Sequence, residues 1–410
     1  MKRTCRIYTF LSPFIFLMHS LCSQEWTVLH QFSPAQTLQK IEFLNKDFGI
    51  TVGSLYNGST KNIHITRDGG KSWTDVSSGY TSMRFMDIAI LNDSVIYMSG
   101  NDGIIIRSTD GGLNWKTLTT NVTEQIWGIY FTSAKIGYAV GSNGLIMRTL
   151  NGGNDWEIKP SGTNHLFYKV TVTSSGICFA SGSNILLRST DSGDSWHTVD
   201  FFPFEPPADW IRSIQFVNDQ TGFACADIGR IYKTTDGGET WRRLESNTQE
   251  ALFDLDFINE NQGMVCGFNG TILKTEDGGE SWMQMISPLG SENLYSIDLT
   301  DAQTGYICSH FGNVLKLTPV SSVQEKAIDL QVMTIFPNPC TQTIHWNLPL
   351  TSMEGNARCQ IFNSAGERVL YEEHVETINA LGISHLAVGL YCMVLSTERH
   401  GVFQASFFKQ

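Results

Sequence analysis

The sequence predicts an all-β fold, in which a seven-bladed β-propeller is followed by a small C-terminal β-sandwich. A nine-residue motif recurs six times at almost constant spacing between residues 65 and 282. The chain has 37 glycines and 11% aromatic residues, whereas charged residues make up only 17%. This composition is typical of many short strands joined by turns. The last copy ends at Trp282, and after Pro319 the repeat gives way to a second pattern of strands.

Each copy of the motif ends in a tryptophan, and successive tryptophans are 42, 41, 40, 45 and 41 residues apart. A period of this length indicates a solenoid or a propeller. Within the motif we expect the Asp to accept hydrogen bonds from backbone N–H groups two residues on, while the glycines supply the positive φ of a tight turn. The tryptophan then begins the next strand. The copies are Ile65–Trp73, Arg107–Trp115, Arg148–Trp156, Arg188–Trp196, Lys233–Trp241 and Lys274–Trp282.

The motif resembles the Asp-box (BNR) repeat, which lies between the third and fourth strands of propeller blades. This resemblance implies architecture and no active site, because Asp-box propellers carry unrelated functions. Cations precede five of the boxes at one repeat position, where we expect them to brace adjacent turns; they are Arg107, Arg148, Arg188, Lys233 and Lys274. The residues predicted to be structural are Asp68, Asp110, Asp191, Asp236 and Asp277, with Trp73, Trp115, Trp156, Trp196, Trp241 and Trp282.

Each box is preceded by three strand-like runs, as at Leu252–Ile258, Gly263–Gly267 and Thr271–Thr275, and followed by one more, so a unit has four strands. The seventh unit breaks off at Pro319, without a box or a strand after it. The run Glu25–His30 resembles the strands that follow the other boxes. We therefore expect it to complete the last blade, which would close the ring and leave no open sheet edge. Residues 24–319 are predicted to form the seven-bladed propeller.

Residues 1–23 are predicted to be a signal peptide, because a basic start precedes an apolar centre at Phe10–Met18 and small residues up to Ser23. Removing them takes away three positive charges and no acid, which changes the formal net charge from −12 to −15. A surface this acidic argues against nucleic acid as a partner. In the remaining chain we expect no transmembrane segment and a monomer.

The propeller repeats resemble the photosystem II stability/assembly factor family over residues 24–319, which implies a non-enzymatic binding scaffold. Residues 320–329 read as a polar linker. Residues 330–410 resemble the C-terminal sorting domain of type IX secretion, with Pro-Asn-Pro from Pro337, an Asn363–Gly366 turn, Gly389–Tyr391 and Lys409. That resemblance implies a bacterium of the Bacteroidota type, and passage through the periplasm to the medium or the outer cell surface.

Two classes of function remain open. A secreted or cell-surface propeller that binds a protein or glycan partner without catalysis is favoured; the alternative is a secreted carbohydrate-active enzyme, sialidase-like or another glycoside hydrolase. Asp254 and Asp256 share one face of a strand, where they could hold a metal or act as acid and base, but polar positions on a blade edge explain them better. No HExxH, GxSxG or CxxC occurs, and we expect no cofactor and no metal.

Candidate binding residues emerge when the innermost strands are aligned on their apolar core position. The preceding position is rich in large aromatic side chains, and we expect it to lie where the ring is narrowest, toward the face opposite the boxes. Aromatic and Arg side chains give a large contact area at little entropic cost. A proline-rich loop, Phe201–Trp210, joins this region. The candidates are Trp127, Tyr168, Trp210, Arg212, Phe253 and Tyr295.

Overall fold

The structure is a computed structural model, and it describes residues 24–54, 61–77, 79–80, 82–199, 209–319, 331–332, 334–347, 357–363, 368–373, 380–397 and 401–410. The chain divides into two compact units, Met1–Val320 and Ser321–Gln410. The predicted signal peptide, most of the proline-rich loop and the predicted linker lie outside the described residues, so these three assignments stay predictions.

The larger unit consists of seven four-stranded antiparallel sheets, which confirms the predicted seven-bladed propeller. The first strand, β1 (Gln24–Gln31), belongs to the last sheet, and the other strands follow the chain blade by blade. Short 3-10 turns occupy Asn101–Gly103, Ser142–Gly144 and Phe268–Gly270. The strands are, in blade 1, β2 (Thr37–Phe43), β3 (Gly49–Ser54), β4 (Ile63–Thr66) and β5 (Thr74–Asp75); in blade 2, β6 (Phe85–Ile90), β7 (Ile96–Gly100), β8 (Ile105–Ser108) and β9 (Lys116–Leu118); in blade 3, β10 (Ile126–Phe131), β11 (Gly137–Gly141), β12 (Ile146–Thr149) and β13 (Glu157–Ile158); in blade 4, β14 (Phe167–Val172), β15 (Cys178–Gly182), β16 (Ile185–Ser189) and β17 (His197–Thr198); in blade 5, β18 (Ile211–Phe216), β19 (Gly222–Ala226), β20 (Ile231–Thr234) and β21 (Arg242–Leu244); in blade 6, β22 (Leu252–Phe257), β23 (Gly263–Gly267), β24 (Ile272–Thr275) and β25 (Met283–Gln284); and in blade 7, β26 (Leu294–Asp301), β27 (Thr304–Ser309) and β28 (Asn313–Pro319).

The N-terminal strand completes blade 7, as the sequence predicts. β1 pairs antiparallel with β28, and Trp26 lies opposite Leu317. The Trp26 side chain is buried in the core of this blade with Leu315 and Ile307. A strand from the start of the chain thus covers the edge that the last unit would otherwise expose.

The box turns use a different hydrogen-bond spacing from the one expected. Asp68 accepts hydrogen bonds from the backbone N–H (2.9 Å) and the hydroxyl (2.6 Å) of Ser72, four residues on, so the expected offset of two was wrong. Thr66, two residues before, donates its hydroxyl to Asp68 and accepts the N–H of Gly70 (2.8 Å). These bonds, led by that of the Ser72 hydroxyl, lower the pKa of Asp68 to about 2. The same acceptors serve the turns at Asp110, Asp191, Asp236 and Asp277.

Cations before the boxes connect each blade to the next. Arg107 Nη1 donates to the carbonyl of Gly152 in the following box (2.9 Å), and Lys233 Nζ donates likewise to Gly278 (2.9 Å). Lys274 precedes the blade that has no box, and its Nζ instead binds the Gln24 side chain of β1 (2.7 Å). The expected bracing is therefore present, and it extends to the closing strand.

Stacked aromatic rings add apolar contact between blades. The second strand of one blade supplies a ring that stacks on a phenylalanine of the next blade's innermost strand, and the box tryptophan meets that phenylalanine edge-on, with centroids 5.8 to 6.2 Å apart. Offset and edge-to-face contacts of this kind stabilise beyond their buried area. The stacked pairs are Tyr306 with Phe43 (3.5 Å), Tyr97 with Phe131 (3.8 Å), Phe179 with Phe216 (4.5 Å) and Phe223 with Phe257 (3.7 Å).

The smaller unit is a β-sandwich, as predicted. Its strands are β29 (Gln331–Val332), β30 (Thr334–Phe336), β31 (Thr343–Asn347), β32 (Ala357–Asn363), β33 (Arg368–Glu373), β34 (Ala380–Gly382), β35 (Gly389–Thr397) and β36 (Gly401–Lys409). A five-stranded sheet has the order β29–β36–β35–β32–β33 and a three-stranded sheet the order β30–β31–β34. Trp346 and Phe407 are fully buried in its core. Asn338 binds the last strand, accepting the N–H of Phe408 (2.9 Å).

Three cysteines on the second strands of blades 5 to 7 are buried and form no disulfide: Cys225, Cys266 and Cys308. They act as small core residues. Within the described ranges, no helix has the length and apolar character to span a bilayer.

The closing strand can be tested with one buried and one exposed residue of β1. Trp26→Ala removes a side chain that is 4% exposed, and we expect a loss of about 3–5 kcal/mol in the free energy of unfolding. Val28→Ala, at a position that is 47% exposed, serves as the matched control and should change it by less than about 1 kcal/mol. Urea denaturation gives both values, and equal effects of the two substitutions would contradict the closure.

Candidate functional site

A β-bulge interrupts the innermost strand of every blade near its start. In blade 1, Leu38 pairs with Gly53 and Lys40 with Val52, so Gln39 has no partner residue. The register shifts at the same point in the other six blades. A bulge re-aims side chains, so two consecutive residues reach the central channel where a regular strand would present one. The unpaired residues are Gln39, Met86, Trp127, Tyr168, Arg212, Phe253 and Tyr295.

These seven unpaired residues surround one depression of about 320 Å³, which we call the channel mouth. They occupy the position that precedes the apolar core position in the aligned innermost strands. The structure therefore brings five of the six candidates to one cavity wall. The sixth, Trp210, lies beside them, because its ring contacts Tyr168 with centroids 6.4 Å apart. Their role in binding stays a prediction.

Arg212 is the centre of the aromatic contacts in the mouth. Its guanidinium carbon lies 4.7 Å from the ring centroids of both Tyr168 and Trp210, and 5.7 Å from that of Phe253. Nε also donates to Asp227 Oδ1 (3.0 Å), and Nη2 to Oδ2 (3.3 Å). The cation is therefore held in place by rings and neutralised by a bidentate carboxylate.

Aromatic contacts continue around the rest of the mouth. Trp127 meets Tyr168 edge-on, with centroids 5.5 Å apart, and Phe253 stacks on Tyr295 at 5.4 Å. The Tyr295 hydroxyl lies 3.2 Å from His310 Nδ1. With Arg212 as the link to Phe253, the candidates thus form a chain of ring and cation–π contacts that spans blades 3 to 7.

A second layer of charged side chains lies directly below the bulge residues. Lys40 Nζ is 2.9 Å from Asp254 Oδ2, and Lys169 Nζ is 3.0 Å from Asp87. Burial alone would raise the pKa of Asp254, but Lys40 and Lys169 outweigh it and hold that pKa below its usual range. Together with Arg212 and its carboxylate, the mouth therefore holds three cations that are each paired with a carboxylate.

The mouth lies on the face opposite the boxes. The box turn of blade 1 binds the turn between β2 and β3, through Gly69 N–H and the carbonyl of Asp47 (2.9 Å), and that turn is at the far end of the innermost strand from Gln39. On the mouth side, Asp227 N–H binds the carbonyl of Trp210 (3.3 Å). Exposed Trp and Phe side chains of the described propeller residues all belong to loops of this face; they are Trp210, Phe268 and Phe311.

Comparison with known families assigns both units. The family model of the photosynthesis system II assembly factor YCF48 matches residues 18–123, 113–246 and 239–318. This chain belongs to that family. A second model, that of a secretion system C-terminal sorting domain, matches residues 334–406. The second match supports export by type IX secretion.

Solved propeller structures share the fold at low sequence identity. The structure "YCF48 bound to D1 peptide" is 21% identical, with 72% of this chain and 96% of that chain covered and a TM-score of 0.59. PorZ, a surface component of the type-IX secretion system of Porphyromonas gingivalis, is 14% identical (94% and 61%, TM-score 0.55), and the GH74 enzyme of Niastella koreensis is 13% identical (93% and 73%, TM-score 0.58). At these identities the likeness shows the fold alone. None of the curated proteins matches the chain.

Below the mouth, the innermost strands of this YCF48-family propeller enclose a second cavity of about 340 Å³. Four carboxyl groups line it, and each accepts a backbone N–H of the next blade's innermost strand; Asp254 accepts that of Ile297 (3.3 Å). Burial raises the pKa of Glu42 to about 7, and burial together with the charge of a neighbouring carboxylate raises the pKa of Asp256 and that of Asp298. The bonds join Glu42 to Ile90 (3.1 Å), Asp256 to Leu299 (2.6 Å) and Asp298 to Phe43 (3.0 Å).

Asp254 and Asp256 therefore serve the contacts between blades. Asp254 also accepts hydrogen bonds from the hydroxyls of Ser213 (2.8 Å) and Ser296 (2.7 Å), one on each neighbouring blade. The residues that the structure describes contain no group of three or more His, Cys, Asp or Glu side chains arranged to hold a metal ion.

Sequence reasoning missed the second layer and the partner of Arg212. Strict alternation along a strand would place Gln39 and Lys40 on opposite faces, so only one of them was aligned with the channel. Large or polar residues at two consecutive positions, as in Arg212–Ser213 and Phe253–Asp254, were the available signal of a bulge. Asp227 is brought to Arg212 by the loop between β19 and β20, which no periodicity marks.

The raised pKa of Glu42 gives a test of the cavity below the mouth. A carboxyl group whose pKa is higher in the folded than in the unfolded state destabilises the fold as pH rises from its unfolded value near 4.5 through about 7. Glu42→Gln keeps an acceptor for Ile90 and removes this charge. We expect the variant to be more stable than the wild type by about 1–2 kcal/mol at pH 8, and nearly equal at pH 5. Urea denaturation at the two pH values measures the difference, and a variant that is destabilised at pH 8 would contradict it.

Proposed function

We propose that the protein is a secreted or cell-surface binding propeller without catalytic activity, and that the channel mouth holds its protein or glycan ligand. The observation that carries this proposal is the convergence of Trp127, Tyr168, Arg212, Phe253 and Tyr295 on one open depression. Aromatic and Arg side chains dominate the energetics of many binding sites because they offer large contact areas at low entropic cost. The sorting-domain match supports a location outside the cell.

The charge arrangement of the mouth supports binding over catalysis. A glycoside hydrolase of the usual kind needs two carboxyl groups on either side of the scissile bond, free to act as acid and as base or nucleophile. In the mouth, Asp87 and Asp254 each form a salt bridge with a lysine, and their side chains are almost fully buried. The alternative of a carbohydrate-active enzyme is therefore the weaker proposal.

The proposed binding face is tested by single substitutions in the mouth. Ligands are first sought for the purified protein on a glycan array and by pull-down from culture fractions. Tyr168→Ala and Trp127→Ala should then weaken binding of the captured ligand about tenfold or more, because each removes a ring from the contact surface. Leu150→Ala, at a residue 58% exposed in a box turn of the opposite face, is the matched control and should bind normally.

Thermal unfolding separates binding from packing in this experiment. Mouth variants that keep their melting temperature and lose the ligand support the proposal. Variants that unfold, or a ligand whose binding responds to Leu150→Ala and not to the mouth, would place the binding site elsewhere.

Export is tested by deleting residues 330–410. We propose that the truncated chain folds but stays in the periplasm, because the sorting domain addresses the protein to the type IX machinery. Cell fractionation of the natural host locates the chain, and protease resistance of the retained fraction reports whether the propeller has folded. A folded, truncated chain that reaches the medium or cell surface at normal levels would contradict this role.

A further inference from the structure

We infer that the corner of the mouth formed by Trp210, Arg212 and Asp227 binds a neutral pyranose ring. This inference rests on the proposed function, and it adds the chemical class of the ligand. Three observations carry it: an exposed ring in a fixed position, a charge pair with both donor and acceptor capacity, and backbone strain at the adjoining residue.

Trp210 offers a platform that is both accessible and rigid. Its side chain is 39% exposed, while its backbone bridges to Ser183 and accepts a hydrogen bond from Asp227 N–H (3.3 Å). The preceding residue, Asp209, is buried and forms a salt bridge with Arg230 (3.2 Å). A rigid exposed indole loses little entropy on binding, and the apolar face of a sugar ring can stack on it.

The charge pair beside this ring selects for neutral ligands. Asp227 neutralises Arg212, and the other two cations of the mouth, Lys40 and Lys169, are also paired with carboxylates. An acidic sugar would therefore lose hydration without finding a free cation.

The same pair has hydrogen-bonding capacity left for hydroxyl groups. Arg212 uses Nε and Nη2 for Asp227, and no described residue accepts a hydrogen bond from Nη1. Each carboxylate oxygen of Asp227 has a further lone pair. Neighbouring hydroxyls of one pyranose ring, one accepting and one donating, match this arrangement.

Ile228, next to Asp227, is held in the left-handed region with a φ of 59°. The residues with positive φ at the corresponding turns of other blades are Asp or Asn, which tolerate this conformation: Asp102, Asn143, Asn184 and Asn269. For a β-branched residue it is a strained conformation, and such strain is concentrated at functional sites. The Ile228 side chain is half-buried.

The test uses the purified full chain on an array of neutral gluco-, galacto- and manno-configured oligosaccharides, with their sulfated and sialylated counterparts. We expect the wild type to bind a neutral member, with titration calorimetry of that oligosaccharide giving its affinity. Trp210→Ala should lower the affinity for that oligosaccharide about tenfold, and Trp210→Phe should lower it by a smaller factor. Phe268→Ala is the matched control, because it removes an exposed ring of the same face. This ring is not among those that contact Arg212, and its removal should leave the affinity unchanged.

Asp227→Asn distinguishes a sugar site from a packing role. It leaves Arg212 with an uncompensated charge, so we expect weaker binding of the neutral oligosaccharide and a gain of binding to its sulfated form. Ile228→Asn relieves the strain, and we expect a higher melting temperature with a lower affinity. Loss of fold alone would produce neither the gain of binding to the sulfated form nor the higher melting temperature.

The outcomes separate this inference from the proposed function. A wild type that prefers sulfated or sialylated members, or that binds no array member, overturns the neutral-sugar inference. If a protein ligand is captured instead and is lost in Tyr168→Ala, the mouth remains the binding site and only the ligand class is wrong. If a ligand is captured and none of the mouth variants weakens its binding, both proposals fail.

Discussion

Among the described residues no backbone ladder joins one propeller sheet to another, so the integrity of the ring depends on side chains that cross from each blade to the next. Three sets of contacts do this at different depths. Carboxylates such as Glu42 and Asp298 bind the neighbouring innermost strand, stacked rings such as Phe43 and Tyr306 fill the middle, and cations such as Arg107 bind the next box. Because every blade depends on its neighbours, the ring is stable only when it is closed, and β1 provides that closure.

Contacts that recur with the period of the chain could be predicted from the sequence, whereas contacts that depend on bulges or on the closed ring could not. Box turns and their preceding cations recur with the chain's own period, so their residues and partners could be inferred from repetition. The bulges shift each strand by one residue, a local event that hydrophobic alternation does not encode. The partners of Arg212 and Lys40 come from loops or distant blades, and their meeting depends on the closed ring. The hydrogen-bond offset at Asp68 was wrong because the turn is longer than a two-residue hairpin turn.

The two ends of the channel have different electrostatic character. At the mouth, Lys169 and Arg212 are each matched by a carboxylate, and the surface between them is aromatic. Deeper in the channel, carboxyl groups outnumber cations, and burial favours their protonated forms. A ligand at the mouth therefore meets a neutral, ring-lined surface, while the acidic groups below contribute to the contacts between blades.

The pairing of β1 with β28 also has a mechanical consequence. Gln24 lies opposite Pro319, so the chain enters and leaves the propeller at the same end of one antiparallel strand pair. Force applied between the two termini would load the hydrogen bonds of this pair one at a time, as in a zipper, whereas a pull along the strands would load them together. A ring that is stretched by its ends would therefore open first at the pairing of β1 with β28. Trp26 would be the first large side chain to leave the core.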